Sequence, residues 1–201
     1  DSILRTMPSQ FGAPAKVAIT EQDNKINVQM LSYDETGKLT EIISNTLKSN
    51  VANYLSNYRM MNDYVYVVSA NVIDLAINLD VVLDNTQNQG SVISNLVNII
   101  SDFFEPTNRG MGQNVNVSEL KRLIQSQNGV INIAGMQFYN QVGGQYSSSQ
   151  TSQPYSNSTT REIQLVYDTI FAEPNQIYQV RYPSKDITVR VNNFQNINFS
   201  W

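Results

Sequence analysis

The chain has 201 residues, 13 Lys+Arg against 17 Asp+Glu, a formal charge of −4, and neither His nor Cys. Those zeros exclude a Ser-His-Asp triad, a Cys nucleophile, disulfides, the usual zinc ligand sets and His- or Cys-ligated haem and iron–sulfur groups. The scattered basic residues give no footprint for a nucleic-acid backbone, and no window approaches 18 uninterrupted apolar residues, so no membrane span is expected.

In chain order, the first strand candidates are 16–21 and 26–34, with Asp34-Glu35-Thr36-Gly37-Lys38 as a turn signal. A helix is predicted over 41–58, where Ile43, Leu47, Val51, Tyr54, Leu55 and Tyr58 recur at three- and four-residue steps. A strand at 64–68 follows. From 72 to 84 the alternation is nearly unbroken. Ile73, Leu75, Ile77, Leu79, Val81 and Leu83 point one way, and Asp74, Ala76, Asn78, Asp80, Val82 and Asp84 point to an expected wet face. The segment 84–90 reads as a strand-to-helix connection with an Asn or Gln cap. As a calcium loop it fails, because its glycine comes one place late and Asn95 stands where the bidentate Glu belongs.

A second helix spans about 88–104, its apolar pairs Val92/Ile93, Leu96/Val97, Ile99/Ile100 and Phe103/Phe104 forming a broad stripe that Pro106 terminates. A shorter helix at 119–127 carries Leu120, Leu123 and Ile124, with Ser118 or Asn116 as cap and Asn128-Gly129 as its end. Further strands are expected at 130–139, 163–168 and 186–191. Between them, 140–161 is Ser, Gln, Asn, Gly and Thr with isolated Tyr146 and Tyr155. It holds almost no apolar residue to offset ordering entropy, so a loop or arm is expected. The whole chain carries 25 Asn, 17 Gln and 20 Ser, which favours hydrogen bonding over titration as its surface chemistry.

Strands interleaved with helices that can cover only one side give an α+β class. The expected organisation is an α+β unit over 1–63, a second over 64–140, the polar loop or arm over 141–161, and a β-rich segment over 162–201 that completes the second unit. Residue 1 is Asp and no leader pattern follows, so the sequence is expected to be a piece of a longer protein.

No catalytic, cofactor or metal-binding residues emerge. Asp74, Asp80 and Asp84 share a strand face, but residues six apart on a strand lie about 20 Å apart and residues four apart about 13 Å. Glycoside hydrolysis places its carboxyl pair roughly 5–9.5 Å apart, so a hydrolase would need carboxylates converging from other elements. Gly110-Met111-Gly112 follows a helix and lacks the third glycine of a phosphate cradle. The sequons at Asn116, Asn157 and Asn198 are expected by chance at this composition. Exposed Met, Arg and aromatic residues outside periodic elements are favoured at protein contacts. On that ground the candidate interface residues are Arg59, Met60, Met61, Tyr146, Tyr155 and Trp201. A module that holds glycans or a receptor through tyrosines and amides is the alternative reading.

The order of motifs adds a resemblance. Phe103-Phe104-Glu105-Pro106, Arg109-Gly110, the helix start Ser118-Glu119-Leu120, Ile124 and Asn128-Gly129-Val130 resemble the C-terminal part of the baseplate J-like family. Upstream, the strands at 16–21 and 28–33, the helix from Glu41 and Arg59-Met60-Met61-Asn62-Asp63 are similar to that family's middle region. Met60 stands where Pro is common there and Asn62 where Gly is common. The resemblance covers about 14–140 and is nearest to the baseplate wedge subunit of T4-like contractile-tailed phages. It implies a non-enzymatic virion protein, expressed late and assembled in the host cytoplasm. It further implies pairing as a homodimer, contacts with other wedge proteins, ring closure around the tail tube, no cofactor, and no nucleic-acid or membrane partner.

Overall fold

A computed structural model of the chain describes residues 14–22, 25–57 and 64–192. Arg59, Met60, Met61 and Trp201 lie outside the described residues. In chain order the elements begin with β1 (Lys16–Gln22), β2 (Lys25–Tyr33), β3 (Leu39–Thr40), α1 (Asn45–Ser56), β4 (Tyr64–Ser69) and β5 (Asn71–Leu83). Then come α2 (Gln89–Phe103), a 3-10 turn at Pro106–Asn108, β6 (Val115–Asn116), α3 (Val117–Gln125) and β7 (Val130–Gln141). The chain continues through β8 (Tyr155–Asn157), β9 (Glu162–Ile163), β10 (Thr169–Ile170), β11 (Gln176–Gln179), α4 (Pro183–Asp186) and β12 (Ile187–Val191). The class is α+β, with mixed sheets.

In the first unit, β2 lies between β1, antiparallel, and β4, parallel, with β3 continuing on the β4 side. Alternation sends Ile26, Val28 and Met30 of β2 and Val65 and Val67 of β4 to one face, where Leu47, Val51, Tyr54 and Leu55 of α1 cover them. Because β4 shares this core, the first sheet extends past residue 63, where the sequence division was expected, to Ser69. Helix α1 starts at Asn45 rather than 41, because Ser44 is extended and its hydroxyl accepts the Leu47 N–H. Glu41 and Ile42 are thereby left out of the helix. The turn at 34–38 forms as expected, with Gly37 at φ 78° and Asp34 Oδ1 accepting the Thr36 and Lys38 N–H groups.

The second unit is built on β5, thirteen residues long, paired antiparallel with β7 on one side and parallel with β11 and then β12, end to end, on the other. Strands β9 and β8 extend the sheet beyond β7. The odd-numbered apolar residues of β5 from Ile73 to Leu83 meet Val92, Leu96 and Ile100 of α2, Leu120 and Ile124 of α3, and Phe138 of β7 in the main core. Asn88 caps α2 by accepting the Ser91 N–H, and Asn116 caps α3 by accepting the Glu119 N–H. The connection at 84–90 is thus the capped strand-to-helix link expected. Gly129 ends the α3 turn at φ 92°, where a Cβ would sit 2.9 Å from Val92 Cγ2, so both backbone and packing demand glycine.

One expectation needs correction. The strand expected over 163–168 stops at Ile163, because Tyr167 and Asp168, both at φ 52°, form a two-residue reversal closed by Val166 and Thr169. Paired positive φ angles suit a tight hairpin turn. The polar segment 141–161, expected as a loop or arm, is a loop that packs into the fold. Thr151 and Gln153 are buried, and polar contacts to β5, β7 and β11 order it where apolar residues are lacking.

Candidate functional site

The two units meet where β4 runs into β5 through Ala70. An apolar patch of Leu31, Leu39, Ala70, Val72 and Ile177 fills the seam, with Ala15 and Met111 packed against it. Around this patch the contacts are polar and cross from one unit to the other. Glu41 Oε1 accepts the Val72 N–H at 2.7 Å and the Ser147 hydroxyl at 2.7 Å. Leu39 O accepts from Arg181 Nη1 at 3.1 Å and from Gln179 Nε2 at 3.4 Å, and Arg181 pairs with the Asp34 carboxylate. Lys16 Nζ reaches Arg109 O at 2.8 Å.

Asp74 sits beneath this network at 0% exposure. Its Oδ2 accepts the Ser147 N–H at 2.7 Å and its Oδ1 accepts Gln179 Nε2 at 2.8 Å. The expected wet face of β5 therefore holds for Asp80 and Asp84, which are partly exposed, and fails for Asp74. What covers it is chain 73 residues away, invisible to a local pattern. Burial raises the Asp74 pKa above the ordinary carboxylate value despite the two hydrogen bonds. Asp34 behaves oppositely. Burial acts to raise it, but hydrogen bonds from Thr36, Lys38 and Arg181 prevail and hold it below the usual range.

A cleft of about 480 Å³ opens over the seam, walled by Leu39, Glu41 and Ile42 from the first unit and by Tyr146, Ser147 and Arg181 from the second. Tyr146 also braces the fold internally. Its hydroxyl donates to Asp186 Oδ1 at 2.6 Å, its ring meets Tyr182 edge-on at 5.7 Å, and Lys185 Nζ lies 5.2 Å from the ring centre. Burial and the Asp186 carboxylate push its phenol pKa up. Tyr155 packs against the main core and donates to Asn140 Oδ1 at 2.9 Å. Tyr146 lines the cleft and Tyr155 does not, and both are half-buried.

Sequence reasoning missed the residues that hold the seam: Asp34, Glu41, Asp74, Ser147, Gln179 and Arg181. Only the Asp34 turn carried a signal, and that signal concerned backbone reversal. Arg109, named within the motif run, is buried; its Nη2 donates to Gln113 O and Asn114 O, and its guanidinium lies 5.4 and 5.5 Å from the Phe103 and Phe104 ring centres. Burial lowers its pKa. It therefore fixes the loop that follows the 3-10 turn.

No protein family and no curated protein sequence matches the chain. Among solved structures, the chain is similar to one in the cryo-EM structure of the anti-feeding prophage (AFP) baseplate, 6-fold symmetrised, with a TM-score of 0.54 and 11% identity. The match covers 89% of this chain and 35% of the other, so this chain spans about a third of the length of that protein. At this identity the likeness is one of fold.

Proposed function

We propose that this chain is a segment of a structural, non-enzymatic subunit of a contractile-tail baseplate, of the baseplate J-like wedge type. In this reading it pairs as a homodimer, contacts other wedge proteins, joins neighbouring wedges into a ring around the tail tube, and resides at the virion tail. The observation that carries the reading is the fold likeness to a prophage baseplate protein across 89% of the chain. The order of the Phe103–Val130 motifs, which resembles that of the baseplate J-like family, supports it from the sequence alone.

The seam suits an assembly role. Its apolar patch is small, and its remaining contacts are hydrogen bonds made by the Glu41 and Asp74 carboxylates, Lys16, Gln179 and backbone groups, with one ion pair. Joints of this kind can be re-made with water as partner when a structure rearranges. Tyr146, on the cleft wall, is the proposed contact residue among the described candidates. Sedimentation of the purified chain across a hundredfold concentration range tests self-association. A dimer, or a concentration-dependent series, is expected. A strict monomer at every concentration would remove the homodimer from the proposal.

A further inference from the structure

The face of the first sheet opposite α1 bears a stripe of exposed apolar side chains. Alternation along β4 turns Tyr64, Tyr66 and Val68 away from the helix, and they are 63%, 47% and 39% exposed. Beside them on β2 stand Lys25, Asn27 and Gln29 in direct register, followed on β1 by Thr20 and Ala18 opposite Asn27 and Gln29. Among the described residues, β4 pairs with β2 alone. It is therefore an edge strand that presents a backbone row to a partner and a tyrosine stripe beside it.

We propose that this edge is the self-association surface, with β4 of one copy pairing antiparallel with β4 of a second copy about a two-fold axis through Tyr66. The inference rests on the reading that the chain forms a homodimer, and it names the surface. The sequence of β4 is self-complementary in that register. Residues whose numbers sum to 132 lie opposite one another, so Tyr66 faces the second copy's Tyr66 and Tyr64 faces the second copy's Val68. Each is an aromatic–aromatic or aromatic–β-branched cross-strand pair on one continuous face.

Charge permits the same arrangement. Lys25 is the one charged residue among those eight, and it stands beside Tyr64 at the start of β4. Antiparallel pairing sends the two copies of Tyr64, and the lysines beside them, about 13 Å apart along the strands alone. That exceeds the roughly 8 Å screening length at physiological salt. A parallel or shifted pairing would bring the lysines closer or break the stripe. The closed two-fold contact also uses up the edge instead of propagating a fibre.

The absence of cysteine makes the register testable. Tyr66→Cys places one thiol on the two-fold axis, where directly opposite Cβ atoms lie about 4.5–5.5 Å apart, near disulfide reach. Under a mild oxidant this variant is expected to run as a disulfide-linked dimer on a non-reducing gel. Ile131→Cys, at a position 58% exposed on β7, is expected to remain mainly monomeric. Because residue 66 is exposed, Tyr66→Lys should leave the melting temperature of the dilute chain unchanged. By opposing two ammonium groups it should weaken the dimer on the order of tenfold or more in sedimentation. A dimer as tight in Tyr66→Lys as in the wild type, with no cross-link in Tyr66→Cys, would overturn this surface while leaving the homodimer standing. A wild-type chain that stays monomeric throughout would overturn both.

Discussion

Replacing Asp74 with alanine is expected to cost about 3 kcal/mol in urea unfolding, because the half-buried Ser147 N–H loses its acceptor and Gln179 Nε2 keeps only its 3.4 Å contact to Leu39 O. Asp74→Asn keeps the shape and one acceptor oxygen, so its cost at neutral pH is smaller. The two variants separate packing from charge. Burial raises the folded-state pKa of Asp74 above its unfolded value of about 3.9. A group shifted upward in the folded state contributes stability that is fully present below the unfolded pKa and is lost as pH rises through the folded pKa. The stability advantage of the wild type over Asp74→Asn should therefore be largest below about pH 4 and shrink as pH rises towards 7. A gap that widens over that span would mean that Asp74 is held ionised by its hydrogen bonds, with burial the lesser influence.

Tyr178→Ala carries the other large effect, about 4 kcal/mol, since it empties a fully buried ring site in the main core. Part of that loss concerns the polar segment. The Tyr178 hydroxyl donates to Phe171 O at 2.9 Å, so the contact of 2.6 Å with Thr151 Oγ1 has the threonine as donor. Tyr178→Phe retains the ring and removes both bonds, and is expected to cost about 1–2 kcal/mol. Burial pushes the Tyr178 phenol up to about 12, so neither effect should depend on pH between 5 and 9. Limited proteolysis supplies the structural check: cleavage within 141–161 should increase in Tyr178→Phe while the rest of the chain remains protected.

These two residues also show where sequence reading stops. The elements with long runs of one period were legible: β2, β5, β7, α1, α2 and α3 lie within a few residues of their expected bounds. Their signals are local, since each buries a face whose spacing is written in the segment itself. Strand β11 was not legible. Gln176-Ile177-Tyr178-Gln179 is short and half amide, and all four residues are buried although the strand, paired parallel to β5, stands at the end of the sheet order. Parallel pairing to a strand a hundred residues earlier leaves no alternation to detect.

The packing of the polar segment was not legible for a related reason. Composition measures how much apolar surface a segment can bury, and 141–161 has little. Its order comes from partners placed elsewhere: Asp74, Asn140, Glu41 and Tyr178. Asn140 supplies both edges of its amide, donating to Asp74 O and accepting from the Thr151 N–H and the Tyr155 hydroxyl. Tyr155 was read as a contact residue because its segment lacked a core, yet it packs against the core of the neighbouring strands. Asp74 and Asp80 look identical in the alternating pattern, and only the fold separates them.

The candidate seam follows the same rule. Arg181, Gln179 and Ser147 come from late in the chain and meet Asp34, Leu39 and Glu41 from its beginning. No spacing connects them. The motif order at 103–130 was informative because those residues sit on one continuous stretch: α2, the Arg109-anchored loop, the capped α3 and the Gly129 turn.

The proposed role is that of a segment of a contractile-tail baseplate subunit. Its most direct test is gold-labelled antibody against the chain, applied to intact contractile-tailed particles that contain it and viewed by negative-stain electron microscopy. The account predicts gold confined to the distal end of the tail, at the baseplate. Label on the head, along the tail or on fibres, or particles that carry no label at all, would contradict it.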